Sequence, residues 1–542
     1  MKLSSILSRR LNLAGINQLV LVWAFLFVLP PIISYFCHLD LGFRDFQYVG
    51  ATFTLIWTLW KLYPDPNTSI DIFSINKIFL KLFFLALIFS YTYSFIAKYY
   101  AFQLKADDIA IFQTMLNAML AGNFGYSGAV GFYHFGTHQN YILLLVVPFY
   151  WLFHTTETLL IIGAVAIWGT ALGIWFLAKL YKLNDFYAFL ITISFASSPL
   201  AGVDCTFLPE LFTPLFLVWM MVFYTKRTFL PFILIVIFAL STKEDAVLFV
   251  FGISLVMLYR KDFKFAIVAI LASVMVFYIN IAWVQPYFVH KSGMLMPTTL
   301  QFWSEYGSSK SEIVHNLLLN PKEILLRILN PASGVWRLYL PVLFLPLMIP
   351  EVFLASIVTI VMWATSNFDL QHAYKSYYGL NLNVMMFIGV IVLLSNNRLK
   401  VIMNKYSRNF YNIFLLFFLL CIIIFPLWGT GWQSFWSFDY SNVDEAKKLA
   451  VYMVNNYHDA SICSSSTLYQ YLSVTSLNME FFPMSSSATT ENLMNYFNRD
   501  CIYAITDLGD SYPFSPARIH QFISEKSCSE FAHGFYICLN KN

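Results

Sequence analysis

Apolar residues run through this chain in long stretches, broken by short polar or charged segments. A helix that crosses a bilayer needs about 20 apolar residues, fewer where neighbours shield its ends. The pattern predicts about thirteen spans, near 17–37, 47–63, 77–98, 157–178, 184–198, 209–224, 228–241, 246–259, 265–285, 337–349, 352–365, 381–396 and 409–427. The segment 139–154 is also apolar, but it is short and carries Pro148. It reads either as a span or as a helix lying at the interface.

The breaks are not alike. Lys179/Lys182, Lys226/Arg227, Arg260/Lys261/Lys264 and Arg398/Lys400/Lys405/Arg408 cluster between spans, and the positive-inside rule assigns them and the N-terminus to the cytoplasm. All of these agree only if 139–154 does not cross. The outer face then holds the loops 99–156 and 286–336, the turns near 199–208, 242–245 and 366–380, and the C-terminal tail. Pro286, Pro297, Pro321 and Pro331 make the long loop irregular, and loops of that length are usually functional or disordered. The first span follows Lys2, Arg9 and Arg10 without a small-residue cleavage site, so it reads as retained. The expected location is the cytoplasmic (inner) membrane, multi-pass, with the N-terminus cytoplasmic and the C-terminus periplasmic or extracytoplasmic.

The tail alternates differently. From Val443 it reads as a helix, then a strand near Ser461–Ser464 and a second helix at Thr490–Asn498. The apolar run Cys501–Thr506, a helix at Pro516–Glu525 and a hairpin turning at Gly534 follow. Helices alternating with short strands predict a small α/β domain over 430–542, beside a transmembrane domain over 1–429. Four of the seven cysteines lie in the tail, and two disulfides are allowed there: Cys463 with Cys501, and Cys528 with Cys538. Four buried thiols are the alternative.

Composition strengthens the membrane reading. Hydrophobic residues make up 59% and charged residues 11% of the chain, against roughly 25% charged in soluble domains. The net charge of +4 is small and scattered, so no nucleic-acid partner is expected.

In so apolar a chain the remaining charges are informative. Asp107-Asp108 open a stretch in which Ile109, Phe112, Met115 and Met119 recur at helical spacing. They cap a helix, or one serves as a general base beside its partner. His134 and His138 are four apart and suit substrate contact, or a divalent metal shared between Asp107 and His138, although Gly136 weakens a helix there. Glu210 stands after Pro209 at a span start, where it caps the helix or contacts substrate. Lys243-Glu244-Asp245 fill a tight outer turn: a hairpin tip, or a lysine for phosphate steadied by an acid. His372 and Lys375 belong to an aromatic–cationic cluster reaching Tyr377-Tyr378. Arg337 sits at a span mouth. Both suit phosphates or sugars, and both suit a membrane interface.

These residues carry a resemblance. Phe112-Gln113, Asn117 and Gly122 follow the acidic pair. His134-Phe135-Gly136-Thr137-His138, Val147-Pro148-Phe149-Tyr150, Phe207-Leu208-Pro209-Glu210 and Lys243-Glu244-Asp245 come next, in that order. Over roughly 95–400 the chain resembles the membrane protein family catalogued as domain of unknown function 2079. It departs at Ile109-Ala110, where that family usually has a Gly, and at Leu208, where it usually has a His. The layout is similar to that of GT-C glycosyltransferases, in which an acidic pair, an amphipathic helix ending near a Gly and a Pro-x-Tyr segment follow one another.

The resemblance implies a GT-C-like helical membrane protein. Its donor would be a polyprenyl-phosphate-linked sugar, and its acceptor an unidentified glycan, lipid or protein. Asp107 would be the catalytic base and Asp108 its partner. Lys243, with Arg337 or Lys375, would offset the phosphate, and the anomeric carbon would invert. No cofactor is required by this scheme, though a divalent metal is allowed. Two other readings stand beside it: a transporter or flippase of a lipid-linked or anionic substrate, and a non-catalytic membrane scaffold. A carrier favours inverted repeats and polar residues at mid-membrane. This chain shows no repeat and gathers its polar residues on one face.

Overall fold

The computed structural model describes residues 16–62, 74–104, 106–198, 205–293, 298–330, 334–372, 376–396, 434–438, 440–475, 478–479, 501–508, 516–526 and 528–539. In chain order the first helices are α1 (Ile16–Cys37), α2 (Phe43–Leu62), α3 (Lys77–Tyr100), α4 (Ala106–Leu120), α5 (Leu143–Leu152), α6 (Thr156–Leu180) and α7 (Asp185–Ala196). Then come α8 (Phe212–Thr225), α9 (Phe229–Leu240), α10 (Ala246–Tyr259) and α11 (Phe263–Ile279), which a π-turn carries on to Lys291. Amphipathic α12 (Lys310–Leu319) and α13 (Pro321–Leu329), short α14 (Gly334–Tyr339), α15 (Pro350–Thr365) and α16 (Leu380–Ser395) complete the helical part.

Side chains start several of these helices. Asn76, Thr155 and Asn184 accept the amide protons of Ile78, Thr158 and Tyr187, capping α3, α6 and α7. Among the described residues five helices are long and apolar enough to cross a membrane: α1, α3, α6, Phe263–Lys291 and Tyr377–Ser395. Shorter apolar helices stand between them, including α5, which lies within the segment 139–154.

One expected span is corrected. The run 337–349 is not a continuous helix, because α14 gives way to two 3-10 turns, Leu340–Val342 and Leu345–Met348. Pro341 and Pro346 cannot donate to a helical ladder, and Leu343 and Phe344 take left-handed φ angles of 52° and 56°. The expected span 409–427 and the expected helix Thr490–Asn498 fall outside the described residues.

Packing fixes the helix directions. A Cβ at Gly163, Gly169 or Gly173 of α6 would meet Leu211, Leu215 or Val218 in turn, so α6 and α8 run parallel and close. The far ends of α6, α8, α10 and α16 (Tyr181, Thr225, Arg260 and Ser395) line one cavity. These four helices therefore point the same way.

Short strands tie the other end together. β1 (Leu41–Gly42) follows α1, and β2 (Tyr126–Ser127) and β3 (Phe132–Tyr133) form a hairpin after α4. β4 (Ser434–Phe435) pairs with β1, which places the start of the C-terminal part beside the end of α1. Beyond α17 (Tyr440–Tyr457) lie β5 (Ser461–Ser464), α18 (Ser466–Leu472), β6 (Asn478–Met479), β7 (Ile502–Thr506), α19 (Pro516–Glu525), β8 (Ser529–Ala532) and β9 (Phe535–Cys538). The sheet order is β6-β5-β7-β9-β8, parallel at β6-β5-β7 and antiparallel at β7-β9-β8. Cys463 is bonded to Cys501 and Cys528 to Cys538. α18 docks this domain on α4. Gln470 donates to the Leu104 carbonyl at 3.1 Å, the Asn117 amide donates to the Ser473 carbonyl at 2.7 Å, and Tyr471 stacks on Tyr99.

Candidate functional site

α4 carries the acidic pair in its first turn, where free backbone N–H groups favour carboxylates. Ile109, Phe112, Met115, Leu116 and Met119 bury one face of the helix and so hold it in place. The side chain of Asp107 lies outside the described residues. Asp108 is half-buried and acts electrostatically on the phenols of Tyr377 and Tyr378, which precede α16.

Beside those phenols lies a buried ion pair. Lys243 is 3% exposed, Glu210 is 8% exposed, and the ammonium is 2.8 Å from Oε1. The same ammonium stands 5.1 Å and 5.4 Å from the ring centres of Tyr377 and Tyr378, within cation–π range. The Tyr377 hydroxyl donates to that of Tyr378 at 3.0 Å. Burial opposes the charge on Lys243, but Glu210 above all, then Tyr378, Asp245 and Glu244, hold its pKa well above the ordinary value.

A second pair flanks the first. His138 Nδ1 lies 2.7 Å from Glu244 Oε1, and both side chains keep over a quarter of their surface open. Burial works against ionised Glu244, yet His138 and then Lys243 outweigh it and hold the carboxyl at about 2. Asp245 goes the other way. Burial, reinforced by Glu244 and Glu210 and opposed by Lys243, pushes it up to about 7. The loop bearing the histidines is stitched to this turn. The Asn140 amide donates to the Thr242 carbonyl at 2.7 Å, and Ile142 N–H donates to Ser241 O at 2.8 Å.

His134 completes the wall. Its ring stands edge-on to Phe112 at 5.8 Å and 5.3 Å from His138. Neither ring nitrogen has a hydrogen-bond partner among the described residues; the same is true of Glu210 Oε2 and Asp245 Oδ1. Burial, then His138, lowers the His134 pKa well below its usual value, so the imidazole is neutral at pH 7. Buried polar atoms left unpaired cost about 1–3 kcal/mol each, so a ligand bringing hydroxyl donors and acceptors would recover that loss.

The structure thus gathers Asp108, His134, His138, Glu210, Lys243, Glu244 and Asp245. Tyr377 and Tyr378 join them, marked in the sequence as the end of the aromatic–cationic cluster that holds Lys375. His372 is elsewhere employed, with its ring 3.3 Å from the Ala364 carbonyl. Arg337 lies in α14, and its side chain, like all of Lys375, falls outside the described residues. Among the described residues no group of three or more His, Cys, Asp or Glu is arranged to hold a metal. The electrostatic frame is shared: α4, α8, α10 and α16 all present their amino ends here, each worth roughly half a positive charge.

The family described as predicted membrane protein, DUF2079, matches residues 98–498, and the chain belongs to it. No curated protein matches. Among solved structures, ArnT from Cupriavidus metallidurans bound to undecaprenyl phosphate is similar at 10% identity, over 85% of this chain and 98% of that one, with a TM-score of 0.46. AglB, the archaeal oligosaccharyltransferase from Archaeoglobus fulgidus in complex with an inhibitory peptide and a dolichol-phosphate, is similar at 9% identity. That match covers 79% of this chain and 70% of the other, with a TM-score of 0.38.

Proposed function

We propose that this family member is a membrane glycosyltransferase of GT-C type, with about twelve membrane helices in residues 1–429, since 337–349 is not a continuous helix, and an outward-facing α/β domain in 430–542. It moves a sugar from a polyprenyl-phosphate-linked donor to an acceptor hydroxyl on the outer side of the cytoplasmic membrane. The observation that carries this reading is the convergence of the Asp108 helix, the Lys243–Glu210 pair and the His138–Glu244 pair at one end of parallel helices. A scaffold has no need of such a cluster.

In this mechanism a carboxylate oxygen of Asp107 takes the acceptor hydroxyl proton as the acceptor's own hydroxyl oxygen bonds to the anomeric carbon. The bond from that carbon to the phosphate oxygen breaks, and the polyprenyl phosphate leaves with the electron pair, inverting the centre. Lys243 is already neutralised by Glu210. The leaving charge therefore falls to the helix amino ends and whichever of Arg337 and Lys375 reaches it. Asp108, opposite the two tyrosines, orients the acceptor.

The test is transfer from a radiolabelled polyprenyl-phosphate sugar pool in membranes expressing Asp107→Asn. Loss of a general base slows the reaction about 10²- to 10⁴-fold. Full transfer at wild-type protein levels would overturn the assignment.

A further inference from the structure

A polar cavity opens at the opposite end of the same helices from the candidate site. It encloses about 480 Å³ and is lined by Tyr181, Lys182, Thr225, Arg227, Arg260 and Asp262, among others. That size lies within the range of ordinary ligand pockets. Its cations outnumber its carboxylates. Arg227 pairs with Asp262 at 2.6 Å, and Arg260 reaches the Tyr181 hydroxyl at 3.2 Å and Glu351 at 3.6 Å. A guanidinium has five N–H donors, so both retain donors beyond these contacts. Lys182 has no ion pair among the described residues, and the Thr225 hydroxyl is buried with no hydrogen-bond partner among them.

The backbone repeats one device around this cavity. α6, α8 and α10 each end with an amide bonded back across the last turn: Leu183 to Ala178, Thr228 to Phe223, and Asp262 to Met257. The residue that turns left-handed is Lys182, Arg227 or Lys261, each at φ 60°. Glycine usually holds that position because a side chain there is strained. Ending the helix does not require a cation, and glycine would end it without strain.

We propose that this cavity binds a phosphate group, and that its source is the headgroup of an anionic lipid. Arg227 and Arg260 supply paired donors, Lys182 supplies charge, and the Thr225 hydroxyl supplies one more hydrogen bond. Leu258, Tyr259 and Phe263 stand exposed on either side of Arg260, the surface an acyl chain would cover. The inference is independent of the glycosyl-transfer reading, since none of these residues belongs to that site.

The full chain is delipidated in detergent and returned to nanodiscs of phosphatidylcholine with or without phosphatidylglycerol, and retained lipid is counted by native mass spectrometry. The wild type retains phosphatidylglycerol preferentially, and Lys182→Gln and Arg227→Gln each weaken that preference about five-fold. Arg227→Lys keeps part of it and checks that the fold survives. In a second arm inorganic phosphate is added to lipid-free protein. A rise in melting temperature that Lys182→Gln abolishes assigns the same chemistry to a soluble source. No preference for phosphatidylglycerol and no response to phosphate would overturn the proposal, as would variants that bind like the wild type.

Discussion

Replacing Glu210 by Gln is the sharpest probe of the site, because it changes one charge and almost no volume. Lys243 and Glu210 are 3% and 8% exposed and 2.8 Å apart, so the lysine would keep its charge with its closest counter-ion gone. Breaking a buried pair from one side costs about 3–5 kcal/mol. The faces of Tyr377 and Tyr378, worth roughly 0.5–1 kcal/mol each, contact the ammonium before and after the change, so the expected loss stays at about 3–5 kcal/mol. Glu210→Gln/Lys243→Met removes both charges and should recover most of that, since uncharged replacements of buried pairs are often neutral. Unfolding equilibria of the three proteins in mixed micelles supply the comparison. If Glu210→Gln stays within about 0.5 kcal/mol of wild type, the level of an ordinary surface change, the pair is not the buried charge couple described here. A double variant that is stable but transfers no sugar would show that the pair is kept for the site and not for the fold.

Other perturbations probe different parts of the molecule. Asp245 has its pKa pushed up to about 7, so from its ordinary value up to that point the folded chain holds a proton the unfolded chain has lost. Stability then falls as pH rises through that window, and Asp245→Asn should flatten the slope between about pH 4 and 7 in unfolding assays. Glu244, held at about 2, contributes in the opposite sense: its stabilisation is lost only as pH falls towards 2. Gly252→Leu should destabilise the bundle by a few kcal/mol, because any Cβ there collides with the Ala355 carbonyl of α15; thermal unfolding reads this directly. Reducing Cys463–Cys501, whose partners lie 38 residues apart, removes about 3–4 kcal/mol of restraint by loop-length reasoning. Limited proteolysis should then cut between α17 and β7, and hydrogen exchange in the docked α4 should quicken. Cys37 is exposed at the end of α1, so an impermeant maleimide on intact cells should label it if this end of the bundle is the outer one.

Individual elements show what the sequence could and could not carry. The apolar spacing of Ile109, Phe112, Met115 and Met119 announced α4, and the structure buries that face. Pro516–Glu525 and the turn at Gly534 were equally readable, because a proline start and a φ of 78° are local requirements. The segment 337–349 misled because hydropathy counts apolar residues and ignores the two prolines inside. Partner choice was the least legible. Lys243 adjoins Glu244 and Asp245 in sequence, yet neighbours in a tight turn point apart, so its ammonium finds Glu210, 33 residues away. His138 likewise finds Glu244 at a separation of 106. Such distances are set by which helices run parallel, and hydropathy does not encode direction.

Charge does encode direction, and α9 shows how. Four of the helices that start at this end carry acids there (Asp108 in α4, Glu157 in α6, Glu210 before α8, Asp245 before α10), α16 being the exception, and α6, α8 and α10 are followed by cations at the other. Both the helix dipole and the positive-inside rule produce that arrangement. α9 runs back between α8 and α10, so the two causes separate there. Its amino end has no acid in the first turn and lies among cations, with Lys264 4.0 Å from the ring centre of Phe229. In the proposed orientation membrane sidedness puts cations at that end, whereas its dipole alone would not. At its carboxyl end the reverse holds: Lys243 stands three residues past Leu240, on the face where the proposed orientation disfavours a cation and the dipole favours one. The buried pair therefore joins the amino end of α8 to the carboxyl end of α9, each residue bearing the sign its own helix end prefers. That local preference explains why the one lysine in an acid-rich turn is tolerated at 3% exposure.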